Sequence, residues 1–288
     1  MDVQLAYQAN DFLGEGPVWV PEEQALYWVD IQRPALQRWH PASGKYQDWK
    51  MPTDIGCFAL REKGGAVLGL RTGYAFLDFS SATLSPLGDP EADQPYTRFN
   101  DGKCDRIGRF WAGTMDEDSP NTRGALYRLD PNGEYHKMQS GIGISNGLGW
   151  SPDNRIMYYT DSVKRTIWAY DFDLRNGSIT NQRVFAQTPK AYVPDGLTVD
   201  ADGFIWSAKW DGWKIVRYAP DGSVDLEVRL PIQRPTSCMF GGPELKHLYI
   251  TSASTGLTEG ELAEQPQAGC VFILEDVTQG LPEPRFAG

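Results

Sequence analysis

The stretch from Asn146 to Asp171 reads NGLGWSPDNRIMYYTDSVKRTIWAYD, and the order of its parts decides the fold. An Asn-Gly pair opens a short run to Trp150, Pro152-Asp153-Asn154-Arg155 marks a turn, and two β-type runs follow, Ile156 to Asp161 and Thr166 to Asp171. The run Ile156-Met157-Tyr158-Tyr159-Thr160 is apolar or aromatic on both faces, as a strand pressed between two neighbouring sheets must be.

The same order recurs along the chain. Glu15-Gly16-Pro17-Val18-Trp19 leads to a turn at Pro21 to Gln24, then Ala25 to Asp30 and Ala35 to His40. Asp195-Gly196 runs on to Val199, turns at Ala201-Asp202-Gly203, and continues as Phe204 to Lys209 and Lys214 to Ala219. Weaker copies open at Ile55-Gly56, Asp101-Gly102 and Thr236-Ser237. Six units of roughly 40 to 50 residues, with no helix-period stretch, predict an all-β, six-bladed β-propeller forming a single domain over residues 1–288. One blade alone cannot bury both of its faces, whereas six stacked in a ring can. The last unit lacks an outermost strand, because only the Pro-containing tail Leu281 to Phe286 follows Val271 to Leu274. Val3 to Gln8 is expected to supply that strand and close the ring.

With 38 acidic against 27 basic residues, for a net charge of −11, nucleic acid and anionic membranes are excluded as expected partners. Residues 1 to 12 show no signal-peptide pattern and no later segment approaches a membrane span. Cys57, Cys104, Cys238 and Cys270 are scattered without a C-x-x-C pair, so they read as reduced, buried packing residues. The expectation is a cytoplasmic monomer.

In a propeller the first strand of each blade lines the central channel, so the first residues of the six units converge at one mouth: Glu15, Ile55, Asp101, Asn146, Asp195 and Thr236. Carboxylates facing one another across a channel repel unless a cation lies between them. This points to one divalent metal held by Glu15, Asn146 and Asp195, with Asp101 nearby. The all-oxygen set favours Ca²⁺, with Mg²⁺, Mn²⁺, Zn²⁺ or Fe²⁺ as alternative occupants. The competing reading is a set of ordinary Asp-Gly and Asn-Gly turns, but Glu15 is not a turn former. The polar run Arg98 to Asp105, RFNDGKCD, adds a guanidinium and an amide beside Asp101. Gly143-Ile144-Ser145-Asn146-Gly147 fits G-x-S-x-G, yet a strand and not a helix follows it, which argues against a nucleophile elbow. None of His40, His136 and His247 opens a unit, so a Ser-His-Asp triad is not indicated.

Taken in order, LGEGPVW at Leu13 to Trp19, RFNDGK at Arg98 to Lys103, AGTM at Ala112 to Met115, ISNGL at Ile144 to Leu148, PDG at Pro194 to Gly196 and FGG at Phe240 to Gly242 resemble the senescence marker protein, gluconolactonase and luciferin-regenerating enzyme family. The resemblance covers almost the whole chain. It implies a six-bladed propeller with one divalent metal on the residues matching Glu15, Asn146 and Asp195. It also implies substrate contacts from Arg98, from Asn100, and from an acidic residue after AGTM. By spacing that residue is Asp118, where the family pattern has Glu, so Glu117 is the alternative. Asp101 is then a supporting residue that orients a neighbouring ligand or a water.

The expected activity is metal-dependent hydrolysis of a sugar lactone to its aldonic acid, with Asp195 as general base. The alternatives are a promiscuous esterase or organophosphate hydrolase, and a calcium-binding module without catalysis. The walls that select the substrate are expected in loops such as Asp116 to Arg123 and Tyr192 to Pro194.

Overall fold

In the computed structural model, which describes residues 2–118 and 122–288, the chain forms six four-stranded antiparallel sheets. Five are built from consecutive strands laid down from the channel outward. The first blade is Gly14–Val20, Ala25–Asp30, Ala35–Trp39 and Tyr46–Lys50. Blades 2 to 5 begin with the channel strands Ile55–Leu60, Thr97–Cys104, Ser145–Trp150 and Val193–Val199. The sixth takes Pro235–Gly241, His247–Ser252 and Val271–Leu274 from the C-terminal part and Val3–Tyr7 as its outer strand. Val3 pairs with Leu274 and Tyr7 with Val271, so the ring closes as the sequence predicts. Tyr7 also stacks on Tyr46 and meets Trp28 and Trp39 of blade 1, fastening the closing strand to the next blade.

The apolar side chains fall into six clusters, one in each gap between adjacent blades. This explains the two-faced strands of the sequence: Tyr158 packs toward blade 5, while Met157 and Tyr159 pack toward blade 3. Buried carboxylates brace individual blades by accepting from indole N–H groups, Asp11 from Trp28, Asp105 from Trp111 and Asp200 from Trp206. Asp105, the last residue of the RFNDGKCD run, also binds Arg109 at 2.6 Å and is structural. The six-residue helix Glu259–Glu264 interrupts blade 6, started by a capping box between Thr258 and Glu261.

Each channel strand carries a bulge with one extra residue near its start, between Glu15 and Val18, Ile55 and Cys57, Phe99 and Gly102, Asn146 and Leu148, Pro194 and Leu197, and Pro235 and Ser237. A bulge bends its strand and re-aims successive side chains. The unit-opening residues of the sequence therefore sit where the ladder is deliberately broken. Crowding there is severe: a Cβ on Gly56 would lie 2.1 Å from the Phe99 carbonyl oxygen, so glycine lets neighbouring channel strands touch. At the far end Pro282 to Arg285 line the channel, and Phe286 is fully buried against blades 2 and 3.

All four cysteines are free and buried. Among the described residues no helix is long and apolar enough to cross a membrane.

Because Val3–Tyr7 closes the ring, deleting residues 1 to 8 is expected to lower the thermal unfolding midpoint by about 5 °C or more. A calorimetric scan showing no change would contradict closure by this strand.

Candidate active site

At the mouth of the channel a cavity of about 220 Å³ is lined by Leu13, Glu15, Arg98, Asn100, Met115, Ile144, Asn146, Ser162, Val193, Asp195 and Trp210. It brings together five residues from four blades that the sequence singles out: Glu15, Arg98, Asn100, Asn146 and Asp195. The bulge in blade 3 separates two neighbours. Asn100 lines this cavity, whereas Asp101 lines a smaller one of about 70 Å³ deeper in the channel, along with Lys103 and Glu283.

The amide of Asn146 has a fixed orientation. Its Nδ2 donates to Ser162 Oγ at 3.0 Å, and Ser162 Oγ donates to the Pro194 carbonyl at 2.7 Å. With the nitrogen engaged, Asn146 Oδ1 is left buried and without a hydrogen-bond partner among the described residues, and so is Asp195 Oδ1. Two buried oxygens in this state are unfavourable in isolation, and both belong to residues lining the same cavity. Glu15 Oε2 accepts from the Gly16 N–H at 3.0 Å.

Burial pushes the Glu15 carboxyl well above its ordinary range, and the charges of Asp195 and Asp101 push it further. Burial and then Asp101 do the same to Asp195. Burial also pushes Asp101 up to about 6, against the pull of the Lys103 ammonium. Lys209 is fully buried, and burial pushes it down to about 7 while Asp195 holds it up.

Two carboxylates and one amide form a hard, all-oxygen set, and the unpartnered oxygens make it chemically suited to a divalent cation. Among the described residues no three His, Cys, Asp and Glu side chains group as metal ligands.

Arg98 is held on several sides. Its Nε donates to Glu117 Oε1 at 2.8 Å, and its Nη1 donates to the Phe99 carbonyl and to Asn100 Oδ1. Asn100 Nδ2 in turn donates to the Ser145 carbonyl at 2.7 Å. Glu117 also binds Arg71, which is paired with Asp54. Partial burial opposes ionisation of Glu117, but the hydrogen bonds from Arg71 and Arg98 hold its carboxyl below the ordinary range. Asp118 is exposed, with its N–H donating to Asp116 Oδ1 at 3.0 Å. Neither Glu117 nor Asp118 lines the cavity, but Glu117 is the one tied to Arg98.

Sequence reasoning did not single out Ser162 or the apolar walls Leu13, Met115, Ile144 and Trp210. Trp210 could have been found by register, since it pairs with Val193 in the Tyr192 to Pro194 segment. Ser162 carries no pattern of its own in the sequence. Residues 119–121 of the other expected wall, Asp116 to Arg123, lie outside the described residues.

A family model described as SMP-30/Gluconolactonase/LRE-like region matches residues 13–254. A 6-deoxy-6-sulfogluconolactonase from Pseudomonas putida is 39% identical over 278 residues, covering 96% of this chain and 95% of its own. Regucalcin from Gallus gallus is 37% identical over 284 residues, with 96% and 95% covered. The crystal structure of a calcium-binding protein, regucalcin, from Agrobacterium tumefaciens superposes with a TM-score of 0.95 at 28% identity, covering 99% of this chain and 97% of that one.

The raised carboxyls give a sign to test. A group whose folded pKa lies above its unfolded value destabilises the fold once the pH exceeds it. Glu15→Gln is therefore expected to raise the unfolding midpoint of chelator-treated protein at pH 8, by about 2–5 °C, and by less at pH 5. An unchanged or lowered midpoint at pH 8 would show that the carboxylates do not repel.

Proposed function

Because the chain belongs to the SMP-30/gluconolactonase/LRE-like family, we propose that it is a metal-dependent lactonase that opens a sugar lactone to its aldonic acid. The observation that carries this reading is the pair of buried, unpartnered oxygens, Asn146 Oδ1 and Asp195 Oδ1, in the cavity that also holds Glu15, Arg98 and Asn100. Glu15, Asn146 and Asp195 are the residues to hold the cation, with Ca²⁺ as its first candidate. When bound, the cation supplies positive charge opposite the lactone carbonyl oxygen as that oxygen becomes an oxyanion.

The chain's own residues do the rest. Asp195 Oδ1 accepts a proton from the attacking water as the water oxygen bonds to the carbonyl carbon. It returns that proton to the ring oxygen as the ring C–O bond breaks, leaving a carboxylic acid and a hydroxyl. Arg98 and Asn100 face the sugar hydroxyls. Asn100 spends one N–H on Ser145 and one lone pair on Arg98, which leaves it one donor and one acceptor for substrate. Glu117 aims Arg98 through its hydrogen bond, Asp118 is the acidic group next to it, and Asp101 adds negative charge below the ligand set, which strengthens the demand for a cation. Leu13, Met115, Ile144, Val193 and Trp210 form the apolar walls of the cavity.

Asp195→Asn removes the base without changing the shape of the site. On an aldonolactone panel it is expected to lower kcat/KM by roughly a thousandfold or more while the circular dichroism spectrum is retained. Normal turnover by this variant would overturn the assignment. Calcium binding by the wild type with no turnover of lactones or aryl esters would mark a binding module instead. Protons compete with the cation for raised carboxyls, so the calcium-induced rise in unfolding midpoint should be larger at pH 8 than at pH 5. An equal rise at both values would detach the cation from these groups.

A further inference from the structure

Among the described residues Lys209 is the one fully buried lysine. It lies directly opposite Pro194 in the blade 5 ladder, one residue before Asp195 and at the edge of the bulge that turns Asp195 into the channel. Its ammonium donates to Ser207 Oγ at 2.8 Å and lies 4.9 Å from the centre of the Tyr218 ring. A neutral hydroxyl and a ring face do not offset a full charge removed from water, so a buried ammonium needs a carboxylate. Two carboxylates act on it. Glu227 is bound to Lys214 at 2.8 Å on the surface, which leaves Asp195 as the effective counter-charge.

We propose that Lys209 is a positioning residue that acts through Asp195: its ammonium, while it carries the proton, weakens the site's hold on a divalent cation and so keeps that cation exchangeable. The proposal rests on the metal-binding reading of Glu15, Asn146 and Asp195. Apart from Lys209, the cationic groups near Glu15, Asp195 and Asp101 are Arg98, which is tied to Glu117, and Lys103, which lies lower, between the Leu197 carbonyl and Glu283. Lys209 offsets part of that negative charge through its interaction with Asp195, and a like charge repels an incoming cation.

The test is calorimetric titration of Ca²⁺ into chelator-stripped protein for the wild type, Lys209→Met and Lys209→Arg. Methionine keeps much of the side-chain volume and loses the charge, and it is expected to bind Ca²⁺ on the order of tenfold more tightly with slower release. Arginine keeps a full charge and should bind Ca²⁺ no more tightly than the wild type. Unchanged or weaker binding by Lys209→Met, in protein whose circular dichroism matches the wild type, would overturn the proposal. If Lys209→Met does not fold, Lys209→Gln is read by the same criterion. Absence of Ca²⁺ binding by the wild type itself would instead overturn the metal-binding reading on which the proposal rests.

Discussion

Glu15 and Asp195 are carboxylates held at 6% and 4% exposure in one channel, with Asp101 below them. The repulsion among these groups is the constraint to which the site answers. A fold selected for stability alone would have no reason to gather them, because each raises the cost of ionising the others. The ring overcomes that cost with six inter-blade cores and with a closing strand that joins the two ends of the chain. The extra residue in each channel strand is where the two demands meet, since it interrupts the ladder in order to aim side chains inward.

The arrangement divides labour by depth. Asn146, fixed through Ser162 and the Pro194 carbonyl, presents only its oxygen to the cavity. Arg98 and Asn100 form a second locked unit, with Glu117 and Ser145 at its ends. Both units leave unused hydrogen-bonding capacity facing one small space, and this preorganisation distinguishes a site from a solvated turn. Asp101, one residue after Asn100, faces away from that space and into the lower channel with Lys103 and Glu283.

Much of the fold was legible because the repeat is written in residues with strong local meaning. Pro152-Asp153-Asn154 and Ala201-Asp202-Gly203 are turns wherever they occur, and the two-faced aromatic runs between them demand neighbours on both sides. Even the ring closure by Val3–Tyr7 followed from counting strands. The gathering of Glu15, Asn146 and Asp195 was legible from register. Equal register did not reveal that blade 3 aims Asn100 at the cavity and Asp101 below it, because the sequence does not show where a bulge falls. Ser162, Trp210 and Lys209 were missed for a related reason. They reach the site from second strands or from the turns after them, positions that a search for first-strand residues passes over.

The central claim is that one cation, held by three side chains from three blades, makes this channel an active site. The most direct measurement is a pH-stat assay of acid release from aldonolactones by chelator-stripped protein as a divalent cation is titrated back. The account predicts no release above background at zero cation, and a rise that saturates at one equivalent per chain. Full activity in the stripped protein, or none with any divalent cation on any sugar lactone, would contradict it.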